Sequence, residues 1–157
     1  MTYLGDAGEA SAIIREHGAD RLQMRDTVAV SFLAPGSLTN NEFGLFHWEM
    51  TAGAGGPGAH FHRTFSESFY ILSGTVTVYD GKQWVDANSG DFIYVPKGGV
   101  HGFRNDSGAD ASMLILFAPA PPREKFFTEL AEIGKSGREL TPEEWADFYA
   151  RHDQVNL

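Results

Sequence analysis

Residues 60–67 read His60-Phe61-His62-Arg63-Thr64-Phe65-Ser66-Glu67, and residues 96–105 read Pro96-Lys97-Gly98-Gly99-Val100-His101-Gly102-Phe103-Arg104-Asn105. In an extended segment side chains two apart project to one face, so His60 and His62 point together while Phe61 faces away. Glu67 follows a short turn at the start of the next strand-like run, and His101 comes from a later strand that closure of a barrel could bring alongside. Three imidazoles and a carboxylate suit a first-row divalent metal and leave one or two coordination positions open, as a catalytic or ligand-binding site needs. The chain has no cysteine, which removes disulfides, thiolate ligands and cysteine nucleophiles together. A lone His-x-His pair is more often an ordinary pair of histidines. Four donors framed by turn glycines and a proline make the metal reading the stronger one.

Outward from this stretch the pattern is that of short strands. Arg21 to Leu33 alternates at Val28, Val30 and Phe32 until Ala34-Pro35-Gly36-Ser37 breaks it. Phe43 to Thr51 carries large groups on both faces, which predicts a strand covered on both sides by a second sheet or subunit. Gly53-Ala54-Gly55-Gly56-Pro57-Gly58 is too glycine-rich for a ladder and delivers the chain to His60 as a loop at a rim. Phe69 to Tyr79 reads as one strand ending in an Asp80-Gly81 hairpin turn, with Lys82 to Ala87 returning. Asp91 to Val95 and Ser112 to Phe117 complete a set whose spacing predicts an all-β sandwich or barrel. Gly74 lies where a strand meets crowded neighbours, Gly90 and Gly98 suit positive φ, Pro96 fixes a turn that aims His101 inward, and Asn105 is suited to tying off a turn through its side chain.

Helices are expected at the periphery. Ala10 to His17 has a weak helical stripe. Phe126, Phe127, Leu130 and Ile133 repeat at helical spacing with Gly134 as a stop, and Thr141-Pro142-Glu143-Glu144 is a capping box opening a helix with Trp145, Phe148 and Tyr149 on one face. Neither has enough apolar surface of its own, so both should pack on the barrel or on a second subunit. The 157 residues fit one domain (1–157), with a barrel over about 21–118 and a helical segment over about 122–152.

A net charge of −9, with no basic run and interleaved aromatics, argues against nucleic-acid binding. No apolar run reaches the roughly 20 residues of a membrane span, and the first residues lack a signal core, which predicts a cytoplasmic protein without a membrane partner.

The two stretches resemble the two signature motifs of the cupin superfamily: His60-x-His62-x4-Glu67-x6-Gly74, and Gly90-x5-Pro96-x-Gly98-x2-His101-x3-Asn105. The second matches throughout. In the first, the leading glycine falls on Ala54, between Gly53 and Gly55. The tail from Phe117 through Pro122 to Phe127 is similar to that of bacterial quercetinase-like monocupins, which end in helices. The resemblance implies a double-stranded β-helix, or jelly-roll, barrel with two C-terminal helices. It further implies His60, His62, Glu67 and His101 as ligands of one divalent metal (iron, manganese, nickel or zinc), and a homodimer.

For function, the resemblance points to a metal-dependent dioxygenase acting on an aromatic or enediol-like small molecule, with Glu67 as ligand and base. An isomerase or lyase with the same ligands, or a non-catalytic binding protein, are the alternatives within the same fold. Among the aromatics Phe46, Trp48, Phe61, Phe65, Phe103 and Phe117, each alone is more often core than pocket. Phe103, Trp48 and Phe117 are the expected pocket walls, Phe103 first because it lies two residues from His101. His47, on the strand leading to the motif, is the remaining candidate acid or base. His17 and His152 are isolated and expected to be structural.

Overall fold

The computed structural model describes residues 2–157. Its strands are β1 (Arg21–Arg25), β2 (Val28–Ala34), β3 (Gly44–Met50), β4 (His60–Phe61), β5 (Ser66–Ser73), β6 (Thr75–Tyr79), β7 (Trp84–Asn88), β8 (Phe92–Val95), β9 (Gly102–Arg104) and β10 (Ala111–Ala118). Helices α1 (Arg123–Ser136) and α2 (Pro142–Arg151) follow, then a short β11 (Val155–Asn156). All pairs are antiparallel: a six-stranded sheet in the order β1-β2-β3-β10-β5-β8, a three-stranded sheet β7-β6-β9, and the two-residue pair β11-β4. This is a jelly-roll barrel with two helices packed on it.

The core follows from strand alternation. On β10, Ala111, Met113, Ile115 and Phe117 are buried while Ser112, Leu114, Leu116 and Ala118 are half-buried. Full burial of a side chain such as Met113 or Ile115 contributes about 1.5–3 kcal/mol. The two sheets meet through Trp48 and Phe69 of the larger against Phe103 of the smaller, with ring centroids 5.7 and 5.4 Å apart. Helix α1 presses Phe127 onto Phe46 and Trp48 at 5.4 and 5.5 Å, closing one end of the barrel.

Several expectations are corrected. Arg21 to Leu33 is a hairpin, β1 and β2, rather than one run, turning at Asp26-Thr27. Ala10 to His17 is not helical: Ile13 and Ile14 lie exposed, and a segment that short does not hold a helix without a face to bury. On β3 only Gly44, Phe46, Trp48 and Met50 are buried, whereas Leu45, His47 and Glu49 are half-exposed on the outer face. Phe69 to Tyr79 is split at Gly74, whose φ of 71° turns the chain from one sheet into the other. A Cβ there would stand 2.4 Å from the Asp110 carbonyl oxygen, so glycine is required twice over. The following hairpin turns at Gly81-Lys82 rather than Asp80-Gly81. The Asp80 N–H bonds the Gln83 carbonyl, and the Asp80 carboxylate accepts from the Lys82 and Gln83 N–H groups. Helix α1 runs through Gly134 and stops at Gly137, whose φ of 67° provides the left-handed cap. Helix α2 begins with the expected capping box, Thr141 and Glu144 bonding each other's backbone N–H.

Candidate metal centre

His60 lies on β4, His62 just beyond it, Glu67 second on β5, and His101 immediately before β9. A backbone bridge ties the two histidine segments: His60 N–H to His101 carbonyl and the reverse, both 2.9 Å. All four side chains are buried, and one donor atom from each lies within 4.8 Å of the others, an arrangement that could hold a metal ion. The departure at Ala54 is harmless, because its methyl is buried in the core and its carbonyl accepts the Asn105 N–H at 2.8 Å.

Each imidazole is oriented by the backbone. His60 Nδ1 meets the Gly58 carbonyl at 2.8 Å, His101 Nδ1 that of Gly99 at 2.9 Å, and His62 Nδ1 that of Asp153 at 2.6 Å. A carbonyl only accepts, so Nδ1 carries the proton in all three rings and Nε2 is the nitrogen left to face the centre. This is the tautomer a divalent ion requires, and the donor set fits one. The turn Pro96–Gly99 is pinned by the Gly98 N–H to the His62 carbonyl at 2.7 Å, with Gly98 at φ 76°. Asn105 ties the next loop as expected, donating to the Thr51 and Ala109 carbonyls and accepting from Ser107.

Electrostatics are those of a crowded buried cluster. Burial alone would push Glu67 up. The His101 and His62 imidazoles, 2.8 and 3.1 Å from its Oε2, instead hold it well below the usual carboxylate range. His101 is pushed down by burial and more strongly up by Glu67, ending above its ordinary value. His60 is lowered to about 4 by burial and by His101, so it is neutral and ready to donate at physiological pH.

The centre opens into a cavity of about 540 Å³. His60 and Glu67 line it together with Trp48, Phe103 and Phe117, the three expected pocket walls. Phe46 packs behind the wall against Phe117, and Phe65 stacks on the His62 ring at 4.3 Å. Phe61 points outward beneath Arg63. His47 is not in this cavity: strand alternation places it on the outer face of β3, where it lines a separate groove with Glu49 and Ser112. Sequence reasoning missed Arg123, buried on the cavity wall at the start of α1, and the tail residues Asp153 and Gln154. Nothing in the local pattern marks them, because their meaning comes from the tail folding back onto β4.

Residues 46–117 match the family model described as Cupin domain. Quercetin 2,3-dioxygenase of Bacillus subtilis is 42% identical over 48 residues, 31% of this chain but only 14% of that enzyme's length. Among solved structures, KdgF from a Halomonas species superposes with a TM-score of 0.62 at 16% identity, covering 72% of this chain and 99% of that one. Ectoine synthase from P. lautus gives 0.59 at 16% identity and covers 93% of this chain and 90% of that one. At these identities the structures speak to fold alone. Fold, motif spacing and domain match agree, and residues 46–117, the stretch that carries all four candidate ligands, are similar to the Cupin domain family.

Proposed function

We propose that the protein is a metal-dependent dioxygenase of quercetinase-like type, acting on an aromatic or enediol-like small molecule at the His60, His62, Glu67 and His101 centre. The observation that carries this reading is the junction of a buried nitrogen-and-oxygen donor set with an aromatic-walled cavity. The local similarity to quercetin 2,3-dioxygenase supports it. Bound iron, manganese, nickel or zinc would supply Lewis acidity for the substrate oxygen. The chain's own part is orientation and proton handling: Trp48, Phe103 and Phe117 hold an aromatic ring, and Glu67 accepts the substrate proton.

Purified without an affinity tag, its metal identified by elemental analysis, the protein is expected to consume O2 with flavonols or other phenolics and to stop under anaerobiosis. Conversion that continues unchanged without O2 would show an isomerase or lyase instead. Ligand binding without turnover of any compound would show a non-catalytic binding protein.

A homodimer belongs to the same reading. Tyr70 and Phe92 face each other across β5 and β8, Tyr94 continues that exposed face, and β8 is a sheet edge. Sedimentation equilibrium should return about twice the 17.2 kDa chain mass; a monomer at micromolar concentration would refute the dimer. No helix among the described residues is long and apolar enough to cross a membrane.

A further inference from the structure

The cavity wall contains a buried cation that the ligand set does not explain. Arg123 is only 4% exposed, and its guanidinium sits among Phe65, Phe117, Phe126 and Phe127, closest to the Phe126 ring at 4.0 Å. Two of its five donors are used, both on neutral acceptors: the His152 carbonyl at 3.1 Å and the Gln154 side-chain oxygen at 3.4 Å. Its Nε is buried without a partner, and no carboxylate of the described residues forms an ion pair with it. Burial lowers it to about 10, which leaves it charged at neutral pH. Trp48, on the same cavity wall, has a second buried N–H without a partner, Nε1.

Unpaired buried donors are costly unless something fills them. Tying α1 to the tail accounts for two of the arginine's donors and leaves Nε and the indole N–H of Trp48 unexplained. Glu67 and, more weakly, Asp153 are the negative charges that act on Arg123, and of these only Glu67 lines the cavity, where a divalent ion at the centre would more than cancel it. The loaded cavity therefore carries excess positive charge inside apolar walls.

We propose that Arg123, with the indole N–H of Trp48, binds a carboxylate of the substrate, so that the compound presented to the metal centre is a small aromatic or apolar acid. This rests on the proposed function for its reaction but not for its binding. The guanidinium fork fits a carboxylate, and the four phenylalanine rings around it exclude the water that would otherwise compete.

The test is calorimetric titration with benzoate and its neutral isostere benzamide, in metal-free and manganese-loaded protein. Benzoate should bind roughly tenfold or more tighter than benzamide in both forms. Arg123→Met should abolish that preference, and Arg123→Lys should keep part of it. If Arg123→Met does not fold, Arg123→Lys and the 15N resonance of the Arg123 Nε–H in the unmodified protein decide, since that resonance should move on adding benzoate and stay for benzamide. Equal affinities, an unmoved Nε–H, or a preference that survives in Arg123→Met would overturn the proposal, as would a preference confined to manganese-loaded protein. A benzoate preference without O2 consumption on any aromatic acid would sink only the dioxygenase reading. O2 consumption on neutral phenolics without that preference would sink only this one.

Discussion

His101→Ala is expected to strip the metal from the protein while leaving a folded barrel, and His62→Ala to do the same. Each removes one of four donors and also one of the two imidazoles that bond Glu67 Oε2. Loss of an outer hydrogen-bond partner of a metal ligand already costs about 10–100-fold in affinity, so loss of a ligand should cost about 100-fold or more. The barrel survives because the backbone bridge between His60 and residue 101 uses no side chain. Elemental analysis with circular dichroism reads both halves of the prediction, and His47→Ala, on the outer face of β3, should keep its metal. Unchanged metal content in both His62→Ala and His101→Ala would show that the centre lies elsewhere.

The same pair sets a pH window for the metal-free protein. Glu67 is lowered from 4.5, so its contribution is present above that value and lost as pH falls through the depressed one. His101 is raised from 6.5, so its contribution is complete below 6.5 and lost as pH rises through the elevated one. The metal-free protein should thus gain most from the pair between about pH 4.5 and 6.5. A bound ion must displace the His101 proton, so metal affinity should rise with pH across that titration. His101→Ala should flatten both profiles.

What the sequence made legible was whatever depends on local period and spacing. Alternation in β10, the capping box of α2 and the two histidine segments could all be read from neighbours in the chain. Boundaries failed where one residue's backbone decides. Gly74 looked like part of a strand because apolar, β-branched residues run on both sides of it, yet the buried positions shift from Phe69 and Ile71 to Val76 and Val78, out of phase by one residue, where the chain changes sheet. Gly134 looked like a stop because glycine ends helices, yet packing of Phe126, Phe127 and Ala131 outweighs the roughly 1 kcal/mol that an interior glycine costs. His47 was drawn toward the site by proximity in sequence, and period-two geometry sends it to the other face. The fourfold donor set could be read; the groups that orient and surround it, Arg123 and Asp153, come from parts of the chain that only the folded tail brings close.

Asp153→Ala is expected to weaken metal binding about 10–100-fold without touching a ligand. Residue 153 acts at two points. Its carbonyl accepts from His62 Nδ1 at 2.6 Å, and its carboxylate accepts from the Arg63 and Thr64 N–H groups and the Thr64 hydroxyl at 2.7–3.1 Å. Together these clamp the turn that carries His62 from β4 toward Glu67. Burial would push the Asp153 carboxyl up, but the Thr64 hydroxyl and the two N–H groups hold it below 3.8, so the clamp stays ionised through neutral pH and loosens only in acid. Its backbone is left-handed, φ 51°, a conformation that alanine adopts with strain and glycine freely. Asp153→Gly therefore separates the effects: it keeps the carbonyl and relieves the strain but lacks the carboxylate. If the carboxylate is the clamp, chelator competition should show Asp153→Gly losing nearly as much affinity as Asp153→Ala. Affinity restored in the glycine variant would assign the loss to backbone strain instead. Ending the chain at His152 should cost more than either, because it also removes the Asp153 carbonyl and the β11 strand that pairs with His60.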